Sequence, residues 1–191
     1  MPVGEKKVGL PELFYDLVFV YALSRTTELV HHADEADYVT FLISLVILFT
    51  VWSYQSIYIN RFGDNSWRDR LFLFADMFLL LFLSNAVGSD WLANFVPFNL
   101  ALGLLVGSVC LQYLLQLARH ASPEQRRRIK LVAGLRGLTA ATVLGSLLFP
   151  AHIGQWVALG GFGLGWILPT FVSHKQPAVN FPHLLERLNG L

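Results

Sequence analysis

Six apolar runs of near-equal length, parted by short polar loops, leave this chain few folds to choose from. A bilayer core about 30 Å thick is crossed by roughly 20 helical residues. Runs near that length extend from Pro11 to Val30, Tyr38 to Ile59, Arg70 to Val87, Phe95 to Ala118, Ile129 to Phe149 and Ile153 to Val172. Of the 191 residues, 54% are hydrophobic and only 14% charged, and the mean hydropathy is +0.52. That is the balance of a membrane protein and not of a soluble domain. The expected fold is all-α, a polytopic membrane helical bundle of about six transmembrane helices, with residues 1–191 forming a single integral membrane domain.

The loops test this reading independently, because basic residues collect on the cytoplasmic side of membrane helices. With the amino terminus inside, the inner segments hold Lys6, Lys7, Arg61, Arg68, Arg70, Arg119, Arg126, Arg127, Arg128, Lys130, Lys175 and Arg187. The outer loops, HHADEAD from His31 to Asp37, GSDWLAN around Asp90 and PAHIG around His152, contain no Lys or Arg. Arg70 and Lys130 mark the inner ends of their runs, and of the 14 basic residues only Arg25 and Arg136 lie deeper within one. Both termini are expected in the cytoplasm, and the lipid bilayer of the cell is the partner that composition implies. The opening Met1-Pro-Val-Gly-Glu-Lys-Lys has the basic flavour of a signal peptide, but Glu12 and Asp16 follow without a cleavage site of small residues, so it reads as a retained first helix. A net charge of +1 gives no sign of nucleic-acid binding, and the basic loop RHASPEQRRRIK reads as a topology anchor. The single cysteine, Cys110, rules out an intrachain disulfide.

Ionisable residues within the runs point to where chemistry would sit. A charge at the centre of a membrane helix costs about 2.5 to 3.5 kcal/mol on insertion scales, so such residues normally pair, snorkel or face the interior of a bundle. Asp16, Asp76 and Arg136 lie five or six residues beyond Pro11, Arg70 and Lys130, which at about 1.5 Å per residue sets each roughly 7 to 9 Å into the membrane. Arg136 is therefore expected to pair with Asp16, Asp76 or both, with Glu12 one turn before Asp16 and with Gln55, Gln112 and Gln116 at similar depth. One guanidinium cannot neutralise three carboxylates. The surplus acid must be protonated, matched by a bound cation, or hydrated. Arg25 lies on the opposite side of the first helix from Asp16, where Glu28 can pair with it and Asn85 of the third helix lies at comparable depth. The first helix would then be enclosed by protein, with partners from the third and fifth helices. The competing reading is that Glu12, Glu28 and Arg25 merely reach the interfaces and that the network only fixes helix packing.

Small residues mark packing seams: Gly103/Gly107, Gly161/Gly165, Ala133/Gly137 and Ala141/Gly145 are all four apart. GGFGLG at Gly160 to Gly165 has no strand before it and lies in an apolar run, so phosphate cradling is rejected. His31 and His32, beside Asp34, Glu35 and Asp37, lack a diagnostic ligand spacing and read as a solvated acidic loop. His183 and Glu186 are three apart, a weak signal. No metal, cofactor or catalytic residue is expected, and no nucleophile motif supports an enzyme.

Three stretches, PELFYDLVFVYALS from Pro11 to Ser24, WSYQSIYINRF from Trp52 to Phe62 and FPHLLER from Phe181 to Arg187, resemble the low temperature requirement protein A (LtrA) family of multi-pass membrane proteins. The resemblance spans essentially the whole chain and matches the amino-terminal half of the family, whose members are about twice as long. It implies either a fragment cut at Leu191 or a short member that supplies the missing half by self-association. It brings no transported or catalytic species with it. The expected function is a transporter or channel-like protein for protons, cations or a small solute, with Asp16 titrating, Arg136 its counter-ion, Asp76 the second acid and Glu12 at the cytoplasmic entry. The alternative is a non-transporting sensor or assembly subunit.

Overall fold

In a computed structural model, the described residues are 9–30, 35–88, 90–119 and 122–172, with backbone only for 35, 36 and 168–172. They form six long helices: α1 (Leu10–Thr27), α2 (Glu35–Phe62), α3 (Trp67–Asn85), α4 (Phe95–Gln116), α5 (Pro123–Gly145) and α6 (Ala151–Val172). No strand occurs among the described residues. Each helix falls on one of the six apolar runs, and the ends follow local chemistry. Proline stands in the first turn of α1 and of α5, where its missing N–H removes no helical bond. Ser66 caps α3 by accepting a hydrogen bond from the Asp69 N–H at 3.4 Å, so this helix starts before Arg70.

Among the described residues three helices are long and apolar enough to cross a membrane: Asp37–Phe62, Phe95–Gln116 and Pro123–Leu148. The apolar stretches of α1 and α3 are interrupted by charge, Glu12, Asp16 and Arg25 in one, Arg68, Asp69, Arg70 and Asp76 in the other.

The hub of the bundle is α4. It packs on α2, α3, α5 and α6 and is buried along its length, from Phe95 and Phe98 through Leu105 and Val109 to Gln116. The expectation that α1 is enclosed by protein fails. α1 packs chiefly on α3 and α2, and turns Leu10, Phe14, Leu17, Val20 and Tyr21 outward. Its buried stripe is Glu12, Tyr15, Asp16, Phe19, Ala22 and Thr26. The physical reason is that lipid is as apolar as leucine, so an apolar face needs no protein cover in a bilayer, whereas the polar stripe does.

The small residues seat the other side of the hub. A side chain at Gly103 would strike Leu144, one at Gly137 would crowd Cys110, and one at Gly107 would touch Ala140; the Cys110 thiol donates to the Ala133 carbonyl at 3.2 Å. Gly161 lies against Thr142 and Gly165 against Thr139, closing α6 onto α5. The pair Ala141/Gly145 differs from expectation: Ala141 is exposed, and a side chain at Gly145 would meet nothing within 4 Å. Residues His31, His32 and Asp34, the basic residues Lys6, Lys7, Lys175 and Arg187, and the stretch with His183 and Glu186 lie outside the described residues.

Candidate functional site

Where α2, α3 and α4 meet, the bundle encloses a polar cluster around Asp76, which is 1% exposed. Gln112 Nε2 donates to Asp76 Oδ2 at 3.1 Å. Gln112 also trades hydrogen bonds with Gln55 in both directions, at 3.1 and 3.2 Å, and its Nε2 is 3.3 Å from Ser108 Oγ. An amide nitrogen has two protons to give, so these three acceptors compete for them. Asp76 Oδ1 has no hydrogen-bond partner among the described residues. The cluster follows from helical spacing: Ser108, Gln112 and Gln116 recur every four residues and make one polar stripe on an otherwise apolar helix. Gln116 extends it by donating to Tyr58 Oη at 2.9 Å, one turn beyond Gln55 on α2.

Asp16 sits at the neighbouring junction of α1 with α2. It is fully buried and accepts a hydrogen bond from Trp52 Nε1 at 2.8 Å. The same indole stacks on Phe19, with ring centroids 5.2 Å apart. Glu12, one turn earlier, is buried as well.

Arg136 does not join these acids. Its guanidinium lies over the Tyr54 ring, 3.2 Å from the centroid, and Nη1 donates to the Gly165 carbonyl at 3.4 Å. Among the described residues the ion pairs are Arg25–Glu28, Arg119–Asp64 and Arg128–Glu124, and none links Arg136 to Asp16 or Asp76. The expected pairing therefore fails for a reason of neighbour order. α5 packs on α4 and α6, while α1 and α3 lie on the other side of the hub, so equal depth does not bring the groups together. Near the end of α1 Arg25 donates to Glu28, whereas Asn85, at the end of α3, turns back to its own helix and donates to the Leu81 carbonyl at 3.0 Å.

A second acidic pair lies in the polar turn between α2 and α3. The Asp64 N–H donates to Asp69 Oδ2 at 2.9 Å, and the Ser66 N–H to Asp64 Oδ1 at 3.1 Å. Arg119, past the end of α4, donates to Asp64 Oδ2 at 3.0 Å. The carboxyl-to-carboxyl hydrogen bond with Asp69, the bonds from Ser66 and the Arg119 guanidinium hold Asp64 well below the usual carboxylate range. Burial and the bond to Asp64 push Asp69 the other way.

Sequence reasoning placed Asp16, Asp76, Gln55, Gln112 and Gln116 at similar depth but missed Trp52, Tyr54 and Ser108 as partners. The every-fourth-residue stripe on α4 was the available signal for Ser108. Nothing local marks Trp52 as the donor to Asp16, since the two are distant in sequence. Their hydrogen bond joins two conspicuous stretches, Pro11 to Ser24 and Trp52 to Phe62. Residues 7–191 match the bacterial low temperature requirement A protein (LtrA) family. The chain belongs to the LtrA family. No curated protein and no solved structure matches it. The LtrA match covers all six helices, and with them every member of the Asp76 cluster and the Asp16–Trp52 bond.

Proposed function

We propose that this LtrA-family chain crosses the cell membrane about six times with both ends in the cytoplasm, and acts as a transporter or channel-like protein for protons, cations or a small solute. The observation that carries this reading is Asp76: a carboxyl enclosed by three helices, met by amide and hydroxyl groups and by no guanidinium or ammonium among the described residues. An intramembrane acid of this kind marks an ion or proton path by default. Asp76 is the group that takes up the proton or cation. Gln112, with more acceptors than protons, passes hydrogen bonds between Asp76, Gln55 and Ser108. Asp16 is the second acid, oriented by Trp52, with Glu12 one turn toward the amino end. Arg136 has no part in this site. Carboxyl, amide, indole and hydroxyl groups arranged in this way make a polar relay and not a nucleophile with its base, so the function is read as non-enzymatic.

Six spans are supported by six helices on six apolar runs, by outward-facing Phe14, Leu17, Phe74, Phe78, Trp156 and Leu164, and by the one-sided distribution of basic loops. The outward apolar faces take lipid, and a second copy or a further segment could cover part of them. A second reading has its own observation: the reciprocal Gln55–Gln112 pair fastens α2 to α4, so the cluster could serve only to fix packing.

Flux into proteoliposomes across pH and common cations separates the two. Asp76→Asn and Asp16→Asn should abolish or strongly reduce flux with the fold retained. Unchanged flux accompanied by lower thermal stability would leave the packing reading standing.

A further inference from the structure

Arg136, unused by the Asp76 cluster, faces a cavity of its own. α2 diverges from α5 and α6 and leaves a groove of about 450 Å³, with Thr50, Ser53, Tyr54, Arg136 and Trp166 on its walls. The rest of the lining is mostly apolar and includes Val46, Phe49 and Ile57, all three exposed on the outer surface of the bundle. The groove thus opens sideways, where a membrane helix meets lipid. The guanidinium lies over the Tyr54 ring, 3.2 Å from its centroid, a cation–π contact that holds the charge in place. The Gly165 carbonyl takes one of its N–H groups at a long 3.4 Å, Tyr54 is its other polar neighbour, and among the described residues no carboxylate pairs with it. A fixed cation without a carboxylate, beside a serine hydroxyl and an apolar wall, is complementary to one kind of ligand.

The geometry points to a binding site for an amphiphile, with its phosphate or carboxylate head on Arg136 and Ser53 and its chain along Val46, Phe49 and Ile57. Arg binds both oxyanions through paired N–H groups. Two sources share this chemistry, a resident anionic phospholipid and a free fatty acid. The site does not depend on the proton or cation reading of Asp76.

Native mass spectrometry and thermal stability of the full chain in a neutral detergent test it, with dioleoylphosphatidylglycerol, dioleoylphosphatidylcholine, oleate and inorganic phosphate as probes. The parent should retain phosphatidylglycerol or oleate in preference to phosphatidylcholine, and the arm that binds identifies the source. Arg136→Gln should weaken that binding at least about tenfold, as expected for losing a charge-assisted pair. Ser53→Phe, which fills the groove and keeps the arginine, should weaken it comparably and carries the test if Arg136→Gln does not fold. Asp76→Asn should bind as the parent does, even if its flux is lost. Retention unchanged in both groove variants would overturn the proposal. So would inorganic phosphate binding as tightly as the amphiphiles, or stability that ignores every probe and rises only with protein concentration, which would mean that a second copy covers the groove.

Discussion

The two sides of α4 are held by different physics. Toward α2 and α3 it presents Ser108, Gln112 and Gln116, and contact is made through directional hydrogen bonds among enclosed polar groups. Toward α5 it presents Gly103, Gly107 and Cys110, and contact is made through close backbone approach, continued by Gly161 and Gly165 between α5 and α6. Membrane helices gain little from burying apolar surface against one another, because lipid already supplies an apolar solvent. Each side therefore needs another source of attraction, one from polarity and one from fit. The glycine side should be sensitive to added volume, and the polar side to lost donors.

The largest effect is expected where two helices approach closely. A side chain at Gly161 would collide with Thr142, while one at neighbouring Gly160 would meet nothing within 4 Å. Gly161→Val should lower stability by about 2 to 3 kcal/mol through overpacking, and Gly160→Ala should stay within about 1 kcal/mol of the parent, given the helix preference for alanine. Thermal unfolding in detergent decides it. Equal losses for the two would mean that the α5–α6 seam is not the contact described.

Gln112→Leu attacks the opposite side and should cost about 2 kcal/mol, since it strips a donor from Asp76 and both bonds from Gln55. Gln55→Leu combined with Gln112→Leu should cost less than the sum of the single changes, because both remove the same pair. Strict additivity would show that the amides do not act together. Trp52→Phe is milder, at about 1 kcal/mol, the scale of a single hydrogen bond between membrane helices. It keeps an aromatic ring beside Phe19 and deletes the donor to Asp16. A double-mutant cycle with Asp16→Leu, which removes the acceptor, checks whether that loss belongs to the bond or to the ring.

The same contrast explains what could be read from the sequence. Helix positions were legible because apolar runs mark them, and the six helices fall on the six runs. The common level of Gln55, Asp76 and Gln112 was legible because helical rise is constant, and the three meet. The side of the bundle on which a group sits was not. Asp16, Asp76 and Arg136 can be set to one level by counting, but which helices are neighbours depends on how α4 is surrounded, and α4 is apolar nearly all round apart from its thin polar stripe. The rim position of α1 was missed because Arg25, opposite Asp16, was read as needing cover from other helices, whereas it pairs with Glu28 three residues on. The seams at Gly103/Gly107 and Gly161/Gly165 were readable because close approach leaves a direct mark on residue size, whereas Ala141/Gly145 shows that the same spacing can face outward.

The smallest effect tests the comparison in water. Asp64, in the turn between α2 and α3, reaches Arg119 beyond the end of α4, a polar tie between the same elements that Gln112 fastens inside the bundle. Both partners are exposed, so the tie should contribute less than about 1 kcal/mol, and Asp64→Asn should lose no more than that at pH 7. The folded state holds Asp64 below its ordinary range. Its contribution is therefore complete above the unfolded value of about 3.9 and declines as the pH falls further. Asp69, pushed upward, takes its proton first on acidification, which relieves strain between the two acids before the Arg119 tie is lost. The stability difference between parent and Asp64→Asn should hence be flat from pH 8 to about 5, shrink in stronger acid, and weaken in 1 M salt, where screening reaches about 3 Å. The Gln112→Leu deficit should ignore salt, because its groups are enclosed. A salt-independent Asp64 effect, or one that grows in acid, would show that the turn is held by something other than this charge pair.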